Sequence, residues 1–247
     1  MRNNIFFFKL YQVYKIVFFY PFLAITTASL GTIATILAIV IHPKIASICG
    51  IIWSKLNSYF TPMFVTVEGK EKIDKKQSYI IVANHQSQYD IFLLYGWLPM
   101  DFKWVMKIQL RQVPFLGFAC YKIGHIFIDR SNSEAAVESI NAAKKRIING
   151  TSIVFFPEGH RSDDGKLIPF KKGAFKFALD MGLPVLPVTI DGTRSVLPSN
   201  TTALFPGKSK MILHKPIDIQ NYTEENIEDL MEEARKRIQQ GLDGMQK

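Results

Sequence analysis

A histidine with an aspartate five residues later stands in Asn84-His85-Gln86-Ser87-Gln88-Tyr89-Asp90, directly after the apolar run Tyr79-Ile80-Ile81-Val82. An apolar run of that kind reads as a buried strand, and open α/β sheets place ligands at the C-terminal ends of such strands. His85 would then leave the strand, and Asp90 would fall in the first turn of the following helix. From there a carboxylate can fold back onto the imidazole, fix its tautomer, leave the far nitrogen as a base and stabilise the imidazolium formed on proton transfer. Standing alone, one histidine beside one aspartate is usually a structural pair. A second polar block follows another apolar run: Phe155-Phe156-Pro157-Glu158-Gly159-His160-Arg161-Ser162 after Ser152-Ile153-Val154. Polar residues after two separate strands suggest one shared crevice. Arg161 offers the planar fork of donors that suits phosphate. The plainer reading of this block is a Pro-Gly turn with a surface arginine.

Two further blocks are less specific. One runs from Lys103 to Arg130 with Lys107, Pro114, Gly117, Gly124 and the close Ile126-Phe127-Ile128-Asp129-Arg130; the other is Leu183-Pro184-Val185-Leu186-Pro187-Val188. Asp129 and Arg130 could equally form a plain surface ion pair. The elements that must position these residues are short β-rich runs at Phe64–Val67, Tyr79–Val82, His125–Ile128, Ser152–Phe156, Val185–Ile190 and Met211–Leu213. Helical patterns lie between several of them. The clearest is Glu134–Asn149, with capping-box spacing from Ser131 to Glu134, Val137, Ile140 and Ile147 at helical intervals, and Gly150 as a stop. Strand-helix alternation predicts an α/β fold, a largely parallel sheet covered by helices. Asn226–Leu242 reads as a terminal packing helix with Leu230, Ala234 and Ile238 on one face.

The 247 residues hold 48% hydrophobic side chains, unevenly spread, and 30 basic against 21 acidic groups, a formal charge of +9. A basic surface attracts nucleic acid, anionic lipid or a phosphorylated substrate. The apolar N-terminus favours lipid and argues against nucleic acid. Phe22–Ile41 carries no charge over twenty residues, long enough to span a hydrocarbon core. His42-Pro43 breaks that pattern. Lys44–Phe60 then adds Trp53, Lys55 and Tyr59, residue types that sit at a lipid–water boundary. Residues 5–60 therefore read as a membrane anchor, either a spanning helix with an interfacial one or a helical pair set in one leaflet. The competing reading is a buried core helix pair; a cleaved signal peptide fits poorly because the apolar run is too long and lacks a clear cleavage site. Residues 1–62 are expected to be the anchoring segment and 63–247 the catalytic domain. Cys49 and Cys120 form no disulfide framework or CxxC motif, so a reducing compartment is expected. No Gly-rich nucleotide loop supports ATP or NAD.

Together and in this order, the four blocks resemble the 1-acylglycerol-3-phosphate acyltransferase family. Its NHxxxxD pattern is met by Asn84, His85 and Asp90, and its FPEGTRS block is similar to Phe156 through Ser162. The region Lys107–Arg130, the proline-bearing Val185–Val188 and Phe170-Lys171-Lys172-Gly173 also look like the family's. The resemblance covers about residues 60–215, and the apolar N-terminus is similar to the family's anchoring helix pair. His160 departs from the pattern, which has Thr there. The resemblance implies His85 as general base and Asp90 as its orienting partner. It implies Lys107 and Arg161 on the acceptor phosphate, Glu158 and Gly159 shaping the acceptor site, and Pro187 on the acyl-donor side. The expected partners are membrane lipid, a lyso-glycerophospholipid acceptor and an acyl thioester donor carried on coenzyme A or acyl carrier protein, with no cofactor and no metal. The expected location is the membrane, with the catalytic domain on its cytoplasmic side. Such a reaction needs no protein nucleophile, in keeping with the absence of a GxSxG elbow, but it does need an oxyanion donor, for which backbone N–H groups near Gly159 are candidates. The rivals are the same chemistry on another lyso-lipid or glycerol-3-phosphate, a metal hydrolase built on His85, Asp90, Glu158 and His160, and a non-catalytic lipid-surface protein or basic nucleic-acid binder.

Overall fold

The computed structural model describes residues 5–129, 131–144, 147 and 150–245. Its centre is a seven-stranded sheet made of β1 (Met63–Glu68), β2 (Ile80–Ala83), β3 (Phe102–Lys107), β4 (Ile126–Ile128), β5 (Ser152–Phe155), β6 (Val185–Asp191) and β7 (Gly207–Leu213). The strand order is β1-β7-β6-β2-β5-β3-β4. Every described pairing is parallel except β6 with β7. β2 lies between β6 and β5 and is buried throughout, which is why it reads as an unbroken apolar run rather than an alternating one.

β3 has no counterpart among the expected strands. Its sequence Phe-Lys-Trp-Val-Met-Lys interrupts the apolar signal, because Lys103 is drawn into the fold with its ammonium 3.5 Å from Asp101. β4 starts after His125 rather than at it, and β7 begins four residues before the expected Met211. Pro187 sits inside β6 opposite Val82. It is tolerated there because the antiparallel partner changes around it: Val185 bridges Ile217 and the ladder with β7 starts at Val188.

α1 (Ile5–Tyr14), a π-helical segment at Lys15–Phe19 and α2 (Tyr20–Val40) form one rod of 36 residues, long and apolar enough to cross a membrane. Ile25, Ile33, Ile36 and Ile39 face outward, which a buried core pair would not allow. α3 (Pro43–Phe60) starts where His42 caps it, Nδ1 accepting from the Lys44 N–H. It returns along α2, with Trp53 Nε1 donating to Thr27 and Phe22 stacked on Phe60. The rod is also tied to the α/β body. Lys15 Nζ donates to the Thr202 carbonyl at 2.7 Å, Gln12 to that of Leu204, and Tyr11 to that of Thr61. α3 packs on α4 (Tyr89–Trp97), with Trp53 against Phe92, and α2 and α3 share a small core with α5 (Leu116–Ile123).

α6 (Ser133–Ala143) is capped by Asn132, whose side chain accepts from the Ala135 N–H, and not by Ser131, whose hydroxyl turns to Asp129. The Val137 side chain, Arg130 and residues 145, 146, 148 and 149 of the expected helix lie outside the described residues. α7 (Gly173–Met181), the short α8 (Thr193–Val196) and α9 (Ile227–Met245) complete the covering. Leu230, Ala234 and Ile238 of α9 are buried as their spacing predicts, and Thr189 of β6 donates to the Ile238 carbonyl.

Candidate active site

The exit of β2 is held by a side chain that imitates a strand. The Asn84 amide donates to the Ile190 carbonyl at 2.8 Å and accepts from the Ile190 N–H at 2.7 Å, extending the β2–β6 ladder by one residue. His85 comes next, and the Phe156–Ser162 turn grips its peptide from both ends. Its N–H donates to Glu158 Oε1 at 2.7 Å, and its carbonyl accepts from the Ser162 N–H at 2.8 Å. The other Glu158 oxygen accepts from the Ile168 N–H at 2.9 Å. Glu158 is buried, and burial raises its pKa from the ordinary glutamate value against the opposing pull of those two N–H groups and of His85. In position, Glu158 is a brace between two loops.

The His85 ring lies between a carboxylate and an aromatic face. Nδ1 is 2.7 Å from Asp90 Oδ2. That oxygen also accepts from the Gln86 and Ser87 N–H groups at 2.7 and 2.9 Å, and the Thr193 hydroxyl donates to Oδ1. Asp90 is fully buried and meets only donors, so it remains an acceptor towards His85. Nδ1 therefore carries the proton and Nε2 is left with a free lone pair. The imidazole stacks on Phe156 at 3.9 Å, and Phe156 in turn lies against Trp104 of β3 at 5.9 Å. A base held in one tautomer and one plane can take a proton from a hydroxyl and return it to a leaving group.

Of the residues picked out by sequence, His85, Asp90, Glu158 and Gly159 converge. Gly159 has φ +81°, and a Cβ there would come within 2.8 Å of the Lys171 side chain. Its N–H is already bonded to the Phe156 carbonyl at 3.0 Å, so it closes the turn and is not a spare oxyanion donor. Arg161 is half-buried next to Ser162, and Lys107 is exposed where β3 ends, two strands from β2 along the same C-terminal edge. Pro187 lies in the body of the sheet, below the level of His85. His160 is exposed, its ring nitrogen 3.2 Å from the Arg161 carbonyl. Among the described residues, no group of three or more His, Cys, Asp or Glu side chains could hold a metal ion.

Three contributors were missed. Thr193 follows the apolar β6 and Gly192, a strand exit of the kind that marked His85. Phe156 stands inside a quoted block, yet nothing in its spacing announces a stack. The Ser199 hydroxyl lies 3.1 Å from the carbonyls of both Gln86 and Ser162 and shares its one proton between them, tying the two blocks together with no sequence signal.

An acyltransferase family model matches residues 64–191. A 1-acyl-sn-glycerol-3-phosphate acyltransferase of Haemophilus influenzae is 34% identical over 173 residues, covering 68% of this chain and 71% of that protein. A chloroplastic enzyme of the same name from Brassica napus is 32% identical, over 77% of this chain and 54% of the relative. The Saccharomyces cerevisiae counterpart is 34% identical, over 70% of this chain and 58% of its own length. The chain thus spans little more than half the length of the plant and yeast relatives. The crystal structure of the 1-acyl-sn-glycerophosphate acyltransferase PlsC from Thermotoga maritima superposes with a TM-score of 0.82 at 28% identity, covering 97% of this chain and 98% of that one.

Proposed function

The chain belongs to the 1-acyl-sn-glycerol-3-phosphate acyltransferase family, and we propose that it transfers a fatty acyl group from an acyl thioester to the free hydroxyl of 1-acylglycerol-3-phosphate, giving phosphatidic acid. The observation that carries this reading is the His85–Asp90 pair at the β2 exit, with Nε2 free and the His85 peptide gripped by the Phe156–Ser162 turn. His85 Nε2 removes the hydroxyl proton as the oxygen attacks the thioester carbonyl. The tetrahedral intermediate then collapses, the carbon–sulfur bond breaks, and the imidazolium returns the proton to the thiolate. Asp90 keeps Nδ1 protonated and stabilises the imidazolium. The thioester is carried on coenzyme A or acyl carrier protein, and the protein supplies no cofactor of its own.

Lys107 and Arg161 bind the acceptor phosphate, Lys as a point charge and Arg as a fork. Glu158 and Gly159 shape the acceptor pocket by holding the turn that carries Arg161. Pro187 acts on the donor side through the course of β6 next to β2. The apolar rod and α3 bury their outward faces in lipid, with the catalytic face on the cytoplasmic side. The rod lies along the α/β body: Lys15 bonds Thr202 and Gly31 abuts Phe115, contacts sixteen residues and about 24 Å apart. A helix held at both places favours insertion beside the body over a crossing that leaves the body outside.

The deciding measurement is a transferase assay on the full-length protein in membranes, with both donor types and a panel of lyso acceptors. His85→Ala should lose activity by about 10²–10⁴-fold while circular dichroism stays unchanged. A folded His85→Ala protein that keeps most of its kcat would end the general-base reading.

A further inference from the structure

We propose that the segment Val113–Tyr121, at the start of α5, is a membrane-contact patch on the α/β body itself, separate from the N-terminal helices, that holds the mouth of the site against an anionic lipid surface. After Thr61, the exposed large apolar side chains among the described residues are Phe64, Val113, Phe115, Phe118 and Tyr121. Four of those five fall within nine residues. Scattered exposed apolar groups are ordinary, whereas a cluster marks a contact surface.

Two cations accompany the patch. The Arg111 guanidinium lies 4.3 Å above the Tyr121 ring, and Lys122 Nζ 5.3 Å above that of Phe118. Aromatic rings paired with cations on apolar stems match the boundary between acyl chains and anionic headgroups. Phe115 adds a cost that needs a reason. Its φ is +62°, a conformation that a bulky residue adopts only under strain and that glycine would adopt more easily. The ring held there is nevertheless exposed.

The occupant is argued from continuity. The Phe115 backbone packs directly against Gly31 of α2, where an added Cβ would lie 2.9 Å from the Phe115 carbonyl. The patch therefore adjoins the edge of the exposed helix face to which Ala24 and Ile39 belong, seven residues before and eight residues after Gly31 on the same side of α2. A bilayer that receives that helix face meets Phe115 and Phe118 as well. The patch also begins just beyond Lys107, which ends β3 and leads into the turn Ile108–Gln112. On the reading proposed above, on which this inference rests, it would hold the phosphate end of the acceptor site at headgroup depth.

The test uses full-length protein in vesicles of phosphatidylcholine with or without phosphatidylglycerol. Cys49 and Cys120 are buried, so an environment-sensitive dye can be attached at Phe118→Cys and, as a polar control, at exposed Glu225→Cys. Nitroxide lipids labelled near the headgroup should quench the dye at 118 severalfold more than at 225, more strongly with the anionic lipid. The Phe118→Ser/Tyr121→Ser protein should show a severalfold higher KM for a vesicle-borne acceptor and an unchanged kcat/KM for a short-chain acceptor free in solution. Equal quenching at 118 and 225 overturns the proposal. So does a loss confined to acyl groups carried on acyl carrier protein, which would make the patch a protein-docking face. Quenching does not depend on turnover: absent quenching with intact transfer sinks the patch alone, and quenching without any transfer sinks the proposed reaction alone.

Discussion

The His85 imidazole lies flat on the Phe156 ring, centroids 3.9 Å apart and planes 12° from parallel. Asp90 fixes one nitrogen of the imidazole, but a single hydrogen bond leaves the ring free to rock about it. The stack removes that freedom and shields one face from water. An aromatic pair of this kind contributes about 0.5–1.5 kcal/mol. Phe156→Leu should therefore keep the fold and lower kcat about two- to tenfold, with little change in either KM. Steady-state kinetics on membranes would check this; an unaltered kcat would mean that Asp90 orients the ring without help.

Glu158 predicts a pH effect on stability. Its pKa is raised above the ordinary 4.5 by burial, so the folded protein holds that proton more tightly than the unfolded chain does. Stability from this group is therefore greatest below the unfolded value and declines as pH rises from about 4.5 to the raised folded pKa. Glu158→Gln should remove that decline. The amide has one acceptor oxygen for the two N–H groups, of His85 and Ile168, that the carboxylate satisfies, so the His85 peptide should loosen and kcat should fall at neutral pH. Thermal melts of parent and variant from about pH 4 to about pH 8 would test the slope. Parallel curves would refute it.

What could be read in advance follows from how local the signals are. β2 and β5 are buried parallel strands, so they write themselves as apolar runs, and the polar residues just past their ends mark the crevice. His85 and Asp90 stand in one such block and meet within it. β3 was hidden because Lys103 breaks its run while being drawn into the fold beside Asp101. Thr193 reaches Asp90 across 103 positions of sequence and Ser199 reaches Gln86 across 113. No spacing rule connects residues so far apart. The cap of α6 moved by one residue because Asn132 competes with Ser131 for the same role and Asp129 claims the serine hydroxyl.

The two cations assigned to the acceptor separate the acceptor classes. Lys107 ends β3 and is exposed, while Arg161 is half-buried next to the residue whose N–H bonds the His85 carbonyl. They differ in leverage over the base. On the proposed reading, losing Lys107 would remove an attraction for phosphate felt equally in ground and transition states, so Lys107→Ala should raise the acceptor KM with kcat nearly unchanged. Losing Arg161 acts on the loop that grips His85, so Arg161→Ala should raise the acceptor KM and also lower kcat, since a displacement of about 1 Å at the reacting groups can cost about 10²-fold. Arg161→Lys should recover only part of the loss, because an ammonium cannot reproduce the fork. The donor KM should stay near the parent value in all three. The measurement is steady-state kinetics with acceptor and donor varied separately. If Lys107→Ala and Arg161→Ala both use 1-acylglycerol-3-phosphate as well as the parent does, neither side chain reads a phosphate, and a lyso-lipid without a terminal phosphate becomes the acceptor to test.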